Sequence, residues 1–171
     1  QKGETALLIA LQRSSSEIVA LLLAQGADTR AVSKKGTNVI GSLLASYNPR
    51  KKGNDEDFEQ KTALLKKYLV ALQAPNAHGD TALHMAVVKG NQKLVEKVLS
   101  WPDIDINAQN EEGQTPLIKA ALTAKDTKLL KYLIEKGANK SLTTELGETA
   151  YELAKENENL QKSEADLSFL K

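Results

Sequence analysis

The sequence predicts an all-α solenoid of about five stacked helix-turn-helix repeats joined by short hairpin loops. Three observations carry this expectation. A short motif, Gly-x-Thr-[Ala/Pro]-apolar, returns at Gly3-Glu4-Thr5-Ala6-Leu7, Gly79-Asp80-Thr81-Ala82-Leu83, Gly113-Gln114-Thr115-Pro116-Leu117 and Gly147-Glu148-Thr149-Ala150-Tyr151, with a degenerate copy at Gly36-Thr37-Asn38-Val39-Ile40. The five glycines stand 33, 43, 34 and 34 residues apart, and a fixed period of this size marks a repeat architecture. Aromatic residues make up only 4% of the 171 residues, which suits thin helical layers better than one deep core.

Each copy carries the same downstream signals. The threonine reads as an N-cap, because its hydroxyl can accept from the free N–H groups of a first helical turn. Pro116 then takes the first helical position, where its missing N–H costs nothing. Thr149 and Glu152 form the reciprocal T-x-x-E box. A turn with a second cap follows at Ser16, Asn91 or Asp126, and then a second apolar helix at 18–24, 94–99 or 129–134. Gly26-Ala27-Asp28 and Gly137-Ala138-Asn139 close these helices, the glycine supplying a left-handed C-cap. The repeats therefore run over 3–35, 36–78, 79–112, 113–146 and 147–171, a single array across 1–171.

The second repeat is longer than its neighbours, and the excess lies at 48–57. That stretch reads Asn-Pro-Arg-Lys-Lys-Gly-Asn-Asp-Glu-Asp and offers nothing apolar to bury, so it is expected to be an exposed, mobile loop. The hairpin over 69–79 reads as abbreviated. In the last repeat, 149–157 reads as one helix and Ser163 as the cap of a second ending at Leu170, together a charged terminal lid. The opening helix contains six consecutive apolar residues, Ala6 to Leu11, which point all round a helix. With the first residue Gln1 rather than Met, this is expected to continue a longer protein with a further repeat or domain before it.

These residues resemble the ankyrin repeat family. Thr81-Ala82-Leu83-His84-Met85-Ala86 and Thr115-Pro116-Leu117-Ile118-Lys119-Ala120 match its T-P-L-H-x-A element, Gly26-Ala27-Asp28 matches its closing G-A-D, and residues 102–108 look like a variant of the hairpin that follows. The resemblance covers nearly the whole chain. It implies stacked helix pairs with protruding hairpins, used mainly for protein recognition, and it implies that His84 bonds back to the loop beside Thr81.

Composition excludes several chemistries. There is no cysteine, hence no disulfide, thiol nucleophile or zinc–thiolate site. The two histidines, His78 and His84, lack a metal-binding spacing and an evident nucleophile partner. The acidic groups Asp55-Glu56-Asp57 and Asp103 to Asp105 read as a charge run and a hairpin variant, and no glycine-rich phosphate loop is present. Arg50-Lys51-Lys52 is too short to target nucleic acid. The longest apolar run, 18–24, falls far short of the roughly 20 residues that span a bilayer. Net charge is +1, but residues 34–67 carry eight Lys/Arg against four Asp/Glu, and 145–171 carry three against seven.

The expected function is protein–protein interaction without catalysis: no enzyme activity, cofactor or metal, no nucleic acid or membrane partner, and a monomeric array in an intracellular setting (host cytoplasm for a secreted effector). The alternative is a substrate-recruiting domain of a larger enzyme or bacterial effector. A spacer without a specific partner is a third reading. Contact is expected through the exposed positions of the first helices and through the hairpin tips. On the helices the candidates are Ile9, Gln12, Met85, Lys89 and Lys119, with Gly41, Leu44, Val88, Leu122 and Leu153 at matching positions; Leu44, Val88 and Leu122 are expected to pack between repeats. On the hairpins they are Lys34, Lys35, Asn110 and Glu111, together with Trp101, whose side-chain type is enriched at interface hot spots.

Overall fold

A computed structural model describes residues 4–171, so Gly3 of the first motif lies outside the described residues. The secondary structure is all-α apart from one isolated bridge between Thr143 and Thr149. The chain forms two compact units that meet in sequence between His78 and Gly79.

The first unit holds two helix pairs, α1 (Ala6–Arg13) with α2 (Ser16–Ala24) and α3 (Val39–Ser46) with α4 (Asn54–Lys67). Helix α1 packs on α3 and α2 on α4, which is stacking in chain order. Thr5 caps α1 as expected, its hydroxyl accepting from the Leu8 N–H. The cap of α3 is Asn38, which stands two residues after Gly36 in the place of the motif's threonine: its Oδ1 accepts the Gly41 N–H at 2.8 Å. The helix keeps the motif's register, and its face positions fall at Ser42 and Ala45 in place of the expected Gly41 and Leu44. Asparagine is the stronger cap, and its Nδ2 also donates to the Pro75 carbonyl at 3.1 Å.

The expected loop at 48–57 is only half a loop. Helix α4 begins at Asn54, after Gly53 turns the chain at φ +76°. Asn54 is buried and staples the turn shut, donating to the Ser46 carbonyl and accepting from the Asn48 N–H. Asp55, Glu56 and Asp57 occupy the first turn of α4, where negative charge opposes the helix dipole favourably. The acidic run is thus a helix start. Tyr47 packs edge-on against Phe58, with ring centroids 5.1 Å apart, and its hydroxyl donates to Asp55.

Two side chains of α4 also finish the helices of the preceding pair. Asp57 Oδ1 accepts the Ser16 N–H at 2.8 Å, at the start of α2. Lys61 is buried; it donates to the Leu11 carbonyl at 3.2 Å, near the end of α1, and pairs with Asp57 at 2.7 Å. Helix ends leave such backbone groups without partners, and here the next repeat supplies them.

The second unit holds α5 (Ala82–Val88) with α6 (Gln92–Leu99), α7 (Pro116–Thr123) with α8 (Lys128–Glu135), and α9 (Ala150–Glu156) with α10 (Glu158–Lys162), followed by a 3₁₀ turn at Ser168–Leu170. Helix α5 packs on α7 and α7 on α9. The terminal pair departs from expectation: Asn157, not Ser163, caps the second helix, accepting from Asn159. Asn157 is spent on a second task, donating to the carbonyls of Ala121 and Ala124 at the end of α7. As with Lys61, a later repeat satisfies an earlier helix end.

The hairpins explain the glycine period. At Gly113, φ is +71°, and an added Cβ would lie 2.7 Å from the Glu145 N; at Gly79, φ is +74°, and it would lie 2.8 Å from the Glu111 N. A side chain at either place would push adjacent hairpins of this unit apart. A second recurring element sits three residues before the glycine. Ser33, Asn110 and Thr144 each accept with a side-chain oxygen from the N–H groups two and four residues on. Asn76 accepts from the His78 N–H in the same way. The connection 68–81 matches 25–38 and 136–149 in length, so the hairpin of repeat two is not abbreviated.

Candidate functional site

Two helical turns separate an N-cap from the residue seven places on, so positions four and seven after each cap share one helix face. On α1 these are Ile9 and Gln12, on α5 Met85 and Val88, and on α7 Lys119 and Leu122. Ile9 is 42% exposed, Val88 48% and Leu122 41%, so Val88 and Leu122 do not pack between repeats as expected. Met85 is half-buried, and Lys89 beside Val88 is exposed. Leu44 is buried as expected, because the Asn38 cap puts Ser42 and Ala45 at the matching positions of α3. Gln12 is partly consumed, its Nε2 donating to Ser42 Oγ at 3.2 Å. Leu153, at the matching position of α9, is buried.

The hairpin candidates divide. Lys34, Lys35 and Glu111 are exposed at their tips. Asn110 is buried and organises its loop while donating to Asp80 at 2.8 Å. Trp101 is only 5% exposed; it follows α6 where the chain turns into the hairpin, and its indole is packed inside instead of presented. For both residues the structure gives an architectural place in contrast to the expected contact role. The period of the short polar residue ahead of each glycine is the sequence signal that identifies Asn110 as a loop organiser.

Lys119 is tied down as well, its Nζ lying 2.6 Å and 2.7 Å from the two Asp80 carboxylate oxygens. Burial pushes the Asp80 carboxyl up, but the hydrogen bonds from Lys119 and Asn110 and the Lys119 charge outweigh it and hold it below its ordinary value. His84 is fully buried alongside. Its Nδ1 accepts the Thr81 N–H at 3.2 Å, as the resemblance implies, and its Nε2 lies 2.8 Å from the Gln114 carbonyl. A backbone N–H can only donate and a carbonyl only accept, so the ring is neutral with its proton on Nε2. Burial is the main cause lowering its pKa. With both nitrogens bonded, His84 links two repeats and has no lone pair left for proton transfer.

Among the described residues, no three His, Asp or Glu side chains are grouped to hold a metal ion. No helix there is long and apolar enough to cross a membrane.

The helix pairs, capped threonines and glycine-seated hairpins define a helical repeat protein of the kind the sequence resembles. The family description "Ankyrin repeats (3 copies)" matches residues 1–110, and "Ankyrin repeats (many copies)" matches 103–154. The chain belongs to the ankyrin repeat family. Among curated proteins it is 29% identical over 163 residues to the putative ankyrin repeat protein YahD of Escherichia coli (strain K12), covering 91% of this chain and 75% of that one. It is 38% identical over 68 residues to the E3 ubiquitin-protein ligase KEG of Arabidopsis thaliana, 40% of this chain but 4% of the ligase. It is 31% identical over 97 residues to human protein phosphatase 1 regulatory subunit 27, covering 57% and 62%. The chain thus spans only a small part of the ligase, and 12% of the two Rabankyrin-5 relatives.

Proposed function

We propose that this chain is a protein-recognition module that docks a partner on the exposed face of its first helices and on its hairpin tips. Ankyrin repeats generally mediate protein–protein interaction, which supports the class. The carrying observation is that half-exposed aliphatic side chains recur on the first helices: Ile9 four places after its cap on α1, and Val88 and Leu122 seven places after theirs on α5 and α7. Aliphatic side chains left in water at repeated positions gain free energy when a partner covers them. Met85 next to Val88 adds a side chain that adapts its shape to what it meets. Lys34 and Lys35 in the first unit and Lys89 and Glu111 in the second add exposed charge, and charge of that kind steers association more than it strengthens it.

The module itself performs no chemistry in this reading, since His84 is spent on structure. A second reading makes it the substrate-recruiting part of a larger enzyme, supported by its likeness to a segment of a ubiquitin ligase. The test for the first is affinity capture with the intact protein, followed by titration of the captured partner against I9D, V88D and L122D. All three lie at the surface, so melting temperature should hold while affinity falls about tenfold or more. Unchanged affinity in all three variants would remove this face from the site.

A further inference from the structure

We propose that the first unit carries a distinct peptide groove beside its hairpins, and that the groove takes an acidic segment bearing aliphatic or aromatic side chains. The proposal rests on the protein-recognition reading and adds a place and a ligand chemistry to it.

The groove has a volume of about 360 Å³ and runs between the first hairpin and the chain leaving α4. Val32, Leu69, Val70, Ala71 and Pro75 line it with apolar surface, and Arg30 is the charged residue of its lining. No aromatic ring lines it, so it offers no stacking platform for nucleic-acid bases.

Leu69 is the second observation. It is 92% exposed, the most solvated of the large apolar side chains. It also holds φ +57°, at a helix end whose backbone closes as the other second helices close: the Val70 N–H donates to the Leu65 carbonyl and the Leu69 N–H to the Lys66 carbonyl. Gly26 and Gly137 occupy this place after α2 and α8. A leucine there is conformationally costly and buries nothing. An outlier that weakens the fold and leaves an apolar side chain exposed where it lines a groove points to use of that side chain by a ligand.

The third observation is charge. From residue 29 to 54 the sequence holds six Lys/Arg and no Asp or Glu, and from 60 to 79 it holds three Lys and again no acid. Arg30, Lys34 and Lys35 project from the hairpin that forms one wall, and Lys66 and Lys67 end the helix that leads into the other. Of the acidic groups on these elements, Asp55, Glu56, Asp57 and Glu59 stand in the first two turns of α4, at the end away from Lys66 and Lys67, and Asp28 lies 3.8 Å from the Arg30 Nε with both side chains largely exposed, which leaves the guanidinium available. Apolar walls with Arg30 in the lining, and Lys34 and Lys35 farther along the same hairpin, select apolar side chains carried on an acidic chain.

The test pans a phage-displayed library of random dodecapeptides on the full chain. Peptides enriched over bare support should be net acidic with Leu, Ile, Phe or Trp, and their binding should weaken with added salt. The triple charge reversal R30E/K34E/K35E should weaken them about tenfold or more. L69G should weaken them while raising the melting temperature, which separates lost contact from lost folding. No enrichment, enrichment of neutral or basic peptides, or binding untouched by both variants would overturn the groove. So would equal or tighter binding of wild type to phosphatidylserine vesicles, which would assign the surface to anionic lipid. If peptide binding falls with I9D and V88D and not with the groove variants, the recognition module stands and the groove falls.

Discussion

Lys61 tests the idea that later repeats complete earlier helix ends. Its ammonium is buried, with 2% of the side chain exposed, and is held by the Asp57 carboxylate at 2.7 Å and the Leu11 carbonyl at 3.2 Å. Replacing it with methionine keeps the volume and removes the charge. The Leu11 carbonyl then loses its donor, and an unpaired buried acceptor costs about 1–3 kcal/mol. Asp57 loses its counter-charge, and breaking a buried pair from one side costs about 3–5 kcal/mol. The Asp57 side chain is 26% exposed and keeps the Ser16 N–H, so water and that bond recover part of the loss. The net expectation for K61M is about 3 kcal/mol, near the low end of that range. Urea unfolding followed by far-UV circular dichroism reads this directly. With a slope near 2 kcal/mol/M, the midpoint should fall by about 1.5 M at unchanged slope. The double variant D57N/K61M should lose clearly less than the two single variants added together, because the pair shares one interaction. A K61M midpoint within about 0.3 M of wild type, or additivity across the cycle, would refute the reasoning.

Gly113→Ala should destabilise by about 2–4 kcal/mol, since alanine meets both a left-handed φ and the Glu145 backbone nitrogen, whereas Gly26→Ala, with open space around it, should lose only about 1 kcal/mol from the φ alone; equal losses in thermal unfolding would remove the close approach from the argument. Stability should also fall on acidification. His84 has a lowered pKa in the fold, so the unfolded chain takes up a proton below about pH 6.5 before the folded one does. Its contribution is therefore complete above that pH and declines as the pH drops through the lowered value. In H84N, the slope of stability between about pH 6.5 and 5 should flatten; an unchanged slope would mean that His84 is not the group responsible.

The sequence was informative where one backbone need recurs. Thr5, Thr115 and Thr149 cap their helices because a hydroxyl three residues before a free N–H has one good use, and the glycine period follows from the close approach at Gly79 and Gly113. It was less informative wherever a residue's role is set by a neighbour distant in sequence. Asp55 to Asp57 look like a solvated charge run until the Ser16 N–H, some forty residues away, shows where one of them points. Asn110 and Trp101 carry interface-like side chains but are used internally, and only packing distinguishes the two uses. Val88 and Leu122 were misjudged in the opposite direction, since an aliphatic residue on a helix does not announce which side its neighbour covers. In the degenerate copy Asn38 fills the place of the capping threonine, because an amide oxygen serves the same N–H.

The seating of Gly79 and Gly113 against the following hairpins also fixes where this chain can lengthen. A residue added between Glu111 and Gly113 would shift backbone that has no room even for one added Cβ at Gly79 or Gly113, and would pry the layers apart. A residue added among 49–52 meets only solvent on one side and the Asn54 staple on the other. The surplus of repeat two is shared between that turn and the lengthened α4, and it is at the turn that a tag, a cleavage sequence or a second recognition loop can be spliced while the hairpins remain in step.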